Sequence, residues 1–247
     1  MTRAARMIVF AVGGLGLAVL LGAAIARMPG FGAAHHPYRT LAAAAALAHG
    51  TPNAVSSVNF DQRGFDTLGE EMILVGSVLG AAALLRPAQH ECERRVPRGG
   101  RVLPATQFAG YALLPVTLAL GLDVVAHGHL TPGGGFQGGV ILATGLHMAY
   151  VAGDYAALQR LRPVHWYSFG EAAGAGAFVA LGLAGLAAAG RFMANVLPLG
   201  AFRAMFSSGT VPLFNVAAGA AVACGMVVLV AAFLRQELLL GEAERTP

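Results

Sequence analysis

Long apolar runs, rather than period-two strands or narrow helical stripes, dominate the hydrophobic pattern of this chain. Six of them approach the roughly 20 residues needed to cross a hydrocarbon core of about 30 Å at 1.5 Å per helical residue. They fall at about 7–26, 68–85, 107–126, 136–151, 168–189 and 212–234, the second and fourth being the weakest. The long connection 27–66 contains an Ala-rich stretch, Leu41 to Ala48. That stretch is too short to span and predicts a surface-lying or packed helix. The pattern therefore predicts an all-α fold: a polytopic membrane helix bundle of about six transmembrane helices. No internal repeat is visible.

The polar segments fix an orientation. With the N-terminus inside, Arg3, Arg6, the five arginines from Arg86 to Arg101, Arg160, Arg162, Arg235 and Arg245 lie inside, while Arg27, Arg39, Arg63, Arg191 and Arg203 lie outside. Eleven against five satisfies the positive-inside bias, so both termini are predicted to be cytoplasmic. Composition agrees: 11% charged and 56% hydrophobic residues, against about a quarter charged in soluble domains. The basic excess, +4 overall, sits in flanks that face phospholipid, which argues against nucleic acid as a partner. Cys92 lies in an Arg-rich loop and Cys224 in an apolar run, at different membrane depths, so a disulfide is not expected. Arg3 and Arg6 ahead of an apolar stretch and Ala24-x-Ala26 also fit a signal peptide, but Met7 to Ile25 is longer than a usual h-region and reads better as a span. The Pro-containing, Arg-rich connection is the clearest break, and three parts are expected: a two-helix membrane part (1–86), a cytoplasmic linker (87–104) and a four-helix domain (105–247).

The most distinctive motif, Gly128-His129-Leu130-Thr131-Pro132-Gly133-Gly134-Gly135-Phe136-Gln137-Gly138-Gly139, lies between the third and fourth spans. Gly133, Gly135 and Gly138 formally match G-x-G-x-x-G, but a dinucleotide fingerprint needs a preceding strand and a βαβ unit, and here a membrane helix precedes it. The chain has no lysine, which excludes a phosphate-cradling P-loop. Pro132 stops a helix, the glycines admit positive φ and close approach, and irregular backbone at membrane depth survives only inside protein or beside water. Short, Gly- and Pro-broken segments are where transporters place ion sites; the same glycines also serve as a tight turn that lets helices touch. Pro115 predicts a kink in the third span.

Ionisable groups near the spans are few, and each is costly in lipid. Asp123 and His127 stand at i, i+4 on the third helix, one face of which they share near its outer end. His147 lies deeper in the fourth span, as a proton relay or as a structural histidine bonded to a neighbouring helix. Glu171, after Trp166 and Tyr167, is either functional or a first-turn acid favoured by the helix dipole. Glu70 and Glu71 flank one entrance, and His127 and His129 flank the Gly loop. Small residues at four-residue spacing, Gly170 and Gly174, then Gly176, Ala180, Ala184 and Ala188, predict close helix packing, much of it against partner proteins. The histidines and cysteines form no C-x-x-C or H-x-x-x-H set, His35 and His36 are a weak external pair, and no G-x-S-x-G nucleophile setting occurs, so neither a metal, a cofactor nor a catalytic centre of the chain's own is expected.

The Gly128 to Gly139 stretch resembles the GHxxPGGGFxGG signature of the MnhB family, the B-type subunits of the multisubunit Mrp/Mnh cation/proton antiporters and their counterparts in membrane-bound hydrogenases. The resemblance extends to Asn195-Val196-Leu197-Pro198-Leu199-Gly200 and to Ser208-Gly209-Thr210-Val211-Pro212-Leu213-Phe214-Asn215, and covers residues 105 to 240. Asp61-Gln62-Arg63-Gly64-Phe65-Asp66-Thr67-Leu68-Gly69-Glu70 is similar to the D-x-R-G-x-D-T-L-G-E motif at the C-terminal end of the A-type subunits. Gln62 and the additional Glu71 depart from that pattern, and Asn215 stands where many B-type antiporter subunits carry an acid.

The resemblance implies a small membrane subunit of a monovalent cation (sodium)/proton antiporter complex in the bacterial or archaeal plasma membrane. Its implied partners are other membrane subunits, monovalent cations, protons and the lipid bilayer. Asp66, Glu70 and Asp123 would offer negative charge to the cation path, with His147 and Glu171 as further candidates along it. His129 would shape the entrance with Pro132, Gly133, Gly134, Gly135, Phe136, Gly138 and Gly139. The alternative it leaves open is a structural subunit of a hydrogenase-type or other redox-driven ion-pumping complex.

Overall fold

The computed structural model describes residues 3–28, 37–85, 102–152 and 164–243. Its helices are α1 (Arg3–Ala26), α2 (Pro37–Ala48), α3 (Ala54–Ser57), α4 (Gly64–Leu84), α5 (Pro104–Ala126), α6 (Gly135–Ala152), α7 (Val164–Ala189) and α8 (Val211–Ala243). A π-helical turn, Val58–Gln62, joins α3 to α4. The predicted Arg-rich linker falls mostly on residues outside those described, as do Cys92, Arg160, Arg162, Arg245, His35 and His36. Contacts divide the chain into Met1–Leu41 and Ala42–Pro247. The first unit contains α1, whose Met7–Ala26 segment is long and apolar enough to span.

All six predicted runs are helical, and most begin about a turn before the apolar run starts. The first turn of each helix lies at its end, where polar residues such as Asp66 and Gln107 can reach water, and their amides bond back to the Arg63 and Leu103 carbonyls. At the other end, α8 continues past the expected residue 234 through Arg235, Gln236 and Glu237 to Ala243, because a helical ladder does not stop where side chains turn polar.

Among the described residues, five helices are long and apolar enough to cross a membrane: Met7–Ala26, Gly64–Leu84, Pro104–Ala126, His165–Ala189 and Val211–Phe233. The fourth predicted run, now α6, is not among them. It has 18 residues, about 27 Å at the helical rise, and its sequence includes Gln137, His147 and four glycines. Its position explains the lower apolarity: α6 packs along both α5 and α8, so part of its surface meets protein rather than lipid and need not be apolar. Cβ atoms built on Gly121, Gly138 and Gly139 would strike Leu142, Val125 and Val222 respectively, which fixes how close these three helices lie.

In the second unit α4 and α7 pack against α8. Phe60 on the π turn stacks on Phe214 of α8 with centroids 6.2 Å apart, and Phe178 of α7 closes the group 4.8 Å from Phe214. Met193, Val211, Ala217 and Ala218 complete this core. Gly170 and Gly174 face Cys224 and Ala221 of α8, so that part of the small-residue stripe is used within the chain; Gly176 opens onto empty space. Ala42 and Ala46 are the buried positions of α2, which makes the Ala-rich stretch a packed helix.

Candidate functional site

The glycine motif is a rigid re-entry between α5 and α6. His127 ends α5 with its amide bonded to the Asp123 carbonyl, Leu130 and Thr131 bond back to His127, and Gly133 and Gly134 then take φ of 146° and 145°. Those values are open to glycine alone among common residues. Gly135 starts α6 against α8, where an added Cβ would run into the Asn215 carbonyl oxygen and lie 2.9 Å from the Gly219 nitrogen. Phe136 packs on the aromatic core. Pro132 is exposed at the tip, whereas Gly138 and Gly139 are held in the helix contacts.

Two asparagines, Asn53 and Asn215, hold this re-entry, and a third, Asn195, clasps the segment that leads into α8. Asn53 caps α3 through Oδ1, which accepts from the Val55 and Ser56 amides, while its Nδ2 donates to the carbonyls of Gly128 and Thr131, each at 2.8 Å. Asn215, fully buried, accepts from the Gly135 amide at 2.9 Å and donates to Ser56 Oγ at 3.0 Å and the Val211 carbonyl at 3.1 Å. Asn195 Oδ1 accepts from the Thr210 amide at 2.8 Å and its Nδ2 donates to the Ser208 carbonyl. The two motifs at 195–200 and 208–215 are thus clasped to each other. Asn215 satisfies the first free amide of α6 where an acid would carry charge.

His129 lies fully buried in this loop, outside the spans, with Nε2–H donating to the Met205 carbonyl at 3.1 Å and Nδ1 left without a partner. Burial lowers its pKa from the ordinary 6.5; the nearby His127 adds to that, and the carbonyls of Met205 and Ala204 oppose it. A folded-state pKa below the unfolded one means the loop is fully stable above the unfolded value and loses stability as pH falls below about 6.5, where only the unfolded chain takes up the proton. Thermal unfolding of the purified protein followed from pH 8 to pH 5 should show this decline, and His129→Gln should flatten it. An unchanged slope in that variant would remove His129 as the cause.

The predicted acids do not converge. Asp66 is exposed and ion-paired with Arg63, Glu70 is exposed on α4, and exposed Asp123 meets His127 Nδ1 at 2.8 Å, as their spacing predicts. His147 is half-buried on α6. Glu171, by contrast, is 4% exposed, with Oε1 unpartnered against Gly225 of α8.

Sequence reasoning missed the most buried acid. Glu71 is 0% exposed, and neither carboxylate oxygen has a hydrogen-bond partner. The signal was present in the helical phase: Gly64, Thr67, Glu71 and Val78 recur at i, i+3, i+7 and i+14 and form the buried face of α4, from which Glu70 is rotated away. Two further pairings were also unforeseen. His49 Nδ1 meets Asp61 at 2.5 Å, and Gln62 Nε2 donates to the Ala42 carbonyl and Ser57 Oγ, each at 3.0 Å. Gln62 is thereby a brace for the π turn. Among the described residues no group of three or more His, Cys, Asp or Glu side chains could hold a metal ion.

A profile described as a domain related to the MnhB subunit of Na+/H+ antiporter matches residues 106–228. An uncharacterized protein of Methanocaldococcus jannaschii is 30% identical over 211 residues, 74% of this chain and 76% of that protein. A probable K(+)/H(+) antiporter A/B subunit of Rhizobium meliloti is 31% identical over 147 residues, 49% of this chain but 14% of that much longer protein. Among solved structures, a chain of the membrane-bound sulfane sulfur reductase, an archaeal respiratory membrane complex, superposes with TM-score 0.72 at 26% identity, covering 93% of this chain and 98% of that one. A chain of the Mrp complex from Dietzia sp. DQ12-45-1b superposes with TM-score 0.66 at 26% identity over 94% of this chain and 26% of that one.

Proposed function

The chain belongs to the MnhB family, and from that premise we propose that it is a membrane subunit of a multisubunit monovalent cation (sodium)/proton antiporter-like complex, contributing to assembly and to the cation pathway. One observation carries this reading: the same fold recurs almost end to end inside two multisubunit membrane complexes, once as nearly a whole chain and once as about a quarter of a longer one. The match within a longer chain also supports reading residues 1–86 as a piece like the end of the A-type antiporter subunits, joined to an MnhB-like domain, residues 105–247. The chain sits in the bacterial or archaeal cytoplasmic membrane with both ends inside, and has no catalytic centre of its own. Exposed acids on apolar helices support the pathway role, since in lipid they are costly and at an interface between partner proteins they are available to cations. Asp66, Glu70 and Asp123 are all placed that way, with His129 fixed behind the glycine re-entry.

Glu70→Gln and Asp123→Asn test this directly in membrane vesicles containing the complex. The expected result is severalfold slower cation-dependent proton movement with an unchanged subunit composition. Normal transport in the double variant would make these acids irrelevant to the path. A second reading, a structural subunit of a redox-driven ion-pumping complex, is favoured by the near-complete superposition on the sulfane sulfur reductase chain, and by Asn215 at the acid's place.

A further inference from the structure

Two acids differ from exposed Asp66, Glu70 and Asp123 because they are buried inside the helix packing rather than displayed on it. Glu71 of α4 and Glu171 of α7 are 0% and 4% exposed, and three of their four carboxylate oxygens are buried without a hydrogen-bond partner. The titratable groups within electrostatic reach are Glu70 on the same helix as Glu71, each glutamate for the other, and Cys224 of α8 beside Glu171. Among the described residues no arginine or histidine forms a salt bridge with either. A structural glutamate buried in a membrane bundle would be expected to hold a donor or a counter-charge, because a buried polar group left bare is strongly unfavourable.

Their depths follow from the packing. A Cβ on Gly225 of α8 would lie 2.8 Å from Glu171 Oε1 and 3.4 Å from Val78 of α4, so Glu171 and Val78 share one level. Glu71 precedes Val78 by seven residues, two turns or about 10 Å along α4. The helices α4 and α7 run in opposite directions, since Phe178 meets Phe60 just before α4 begins while Glu171 lies level with Val78, further along α4. Glu71 therefore lies about 10 Å from the start of α4, and Glu171 about 10 Å from the start of α7 at the opposite end of the bundle.

From this placement, and resting on the reading of the chain as part of a larger complex, we propose that Glu71 and Glu171 are two successive proton stations on a path along the seam of α4, α7 and α8. A shared cation site fits less well. Oxygen-ligated cations such as calcium are held by six or more oxygens at about 2.3–2.6 Å, and among the described residues no group of three or more His, Cys, Asp or Glu side chains could hold a metal ion. A proton needs one oxygen at each station. In the step itself the O–H bond on Glu71 breaks, water in the seam carries the proton, and an O–H bond forms on the Glu171 carboxylate; the reverse serves the opposite direction. Neither station is one of the exposed acids assigned above to the cation entrance, so the proton would travel inside the helix packing and the cation along its surface.

The test uses the purified complex containing this chain. Infrared spectra at neutral pH should show a protonated-carboxyl stretch that shifts in heavy water, disappears in Glu71→Gln and persists in Glu71→Asp. In vesicles, Glu71→Gln and Glu171→Gln should each slow proton-coupled transport at least tenfold with all subunits present, and Glu71→Asp should restore part of it. Normal transport in both glutamine variants overturns the proposal while leaving membership of the complex intact. So does a carboxyl band that sodium abolishes at constant pH, which would make Glu71 a cation ligand. Loss of partner subunits in both Glu71→Gln and Glu71→Asp would make it a packing residue and equally overturn the relay. If wild-type chain copurifies with no other protein, it is membership of a complex that fails.

Discussion

Gly135→Ala is expected to abolish accumulation of folded chain in the membrane. The added methyl group would occupy space now held by the Asn215 carbonyl oxygen, Ala218 Cβ at 2.8 Å and the Gly219 nitrogen at 2.9 Å. Overpacking a core costs about 1–3 kcal/mol when side chains can yield, and here two of the three obstacles are backbone atoms of α8 that cannot. Relief requires α6 to move away from α8, which breaks the bond from the Gly135 amide to Asn215 and loosens the seat of Phe136. Gly176→Ala is the control, because nothing lies within 4 Å of its Cβ position and alanine is the better helix former by about 1 kcal/mol. Gel filtration of detergent-solubilised, fluorescently tagged variants should show a monodisperse peak for the control and aggregate or nothing for Gly135→Ala; equal peaks would mean that the α6–α8 contact is not what holds the fold.

The second large effect is expected at Asn215. Replacing it by leucine preserves approximate volume but strands the Gly135 amide, and with it the Ser56 hydroxyl, in a place without water. Each buried group left unpaired costs about 1–3 kcal/mol, so a loss of about 2–6 kcal/mol is expected for the two, a large share of the stability of an ordinary domain. Asn215→Asp should cost less, since Oδ1 still accepts from Gly135 and Ser56 can turn to donate to the other oxygen. Thermal unfolding of the two variants side by side measures this order. A leucine variant as stable as the parent would show that the network is ornamental to folding.

Legibility in the sequence followed physical range. The spans were visible because a hydrocarbon solvent imposes a length and an apolarity on each helix independently of its neighbours, and the glycine motif was visible because three consecutive glycines after a proline have few structural uses. The weakness foreseen in the fourth run was real, and its cause, a helix pressed between α5 and α8, lies partly in contacts distant in sequence. The Asp123–His127 pair was readable from i, i+4 spacing alone. What escaped was long-range: Asn53 reaching 75 residues along the chain to Gly128, Asn215 reaching 80 to Gly135, and the π turn that brings Phe60 into the core. Glu71 was misjudged for a different reason. Beside Glu70 it looks like half of a solvated acidic pair, yet adjacent helical residues point about 100° apart, and only the buried phase of Gly64, Thr67 and Val78 separates them.

Membership of a multisubunit complex is the central claim, and copurification tests it most directly. The tagged chain, extracted from its native membrane in mild detergent and captured intact, should bring with it several other membrane subunits in fixed proportion. Large antiporter-like subunits alone would place it in cation/proton antiport, while additional iron–sulfur or other redox subunits would move it to the redox-driven reading. Recovery of the chain as a lone monomer or homo-oligomer that nonetheless moves ions when reconstituted would contradict the claim outright.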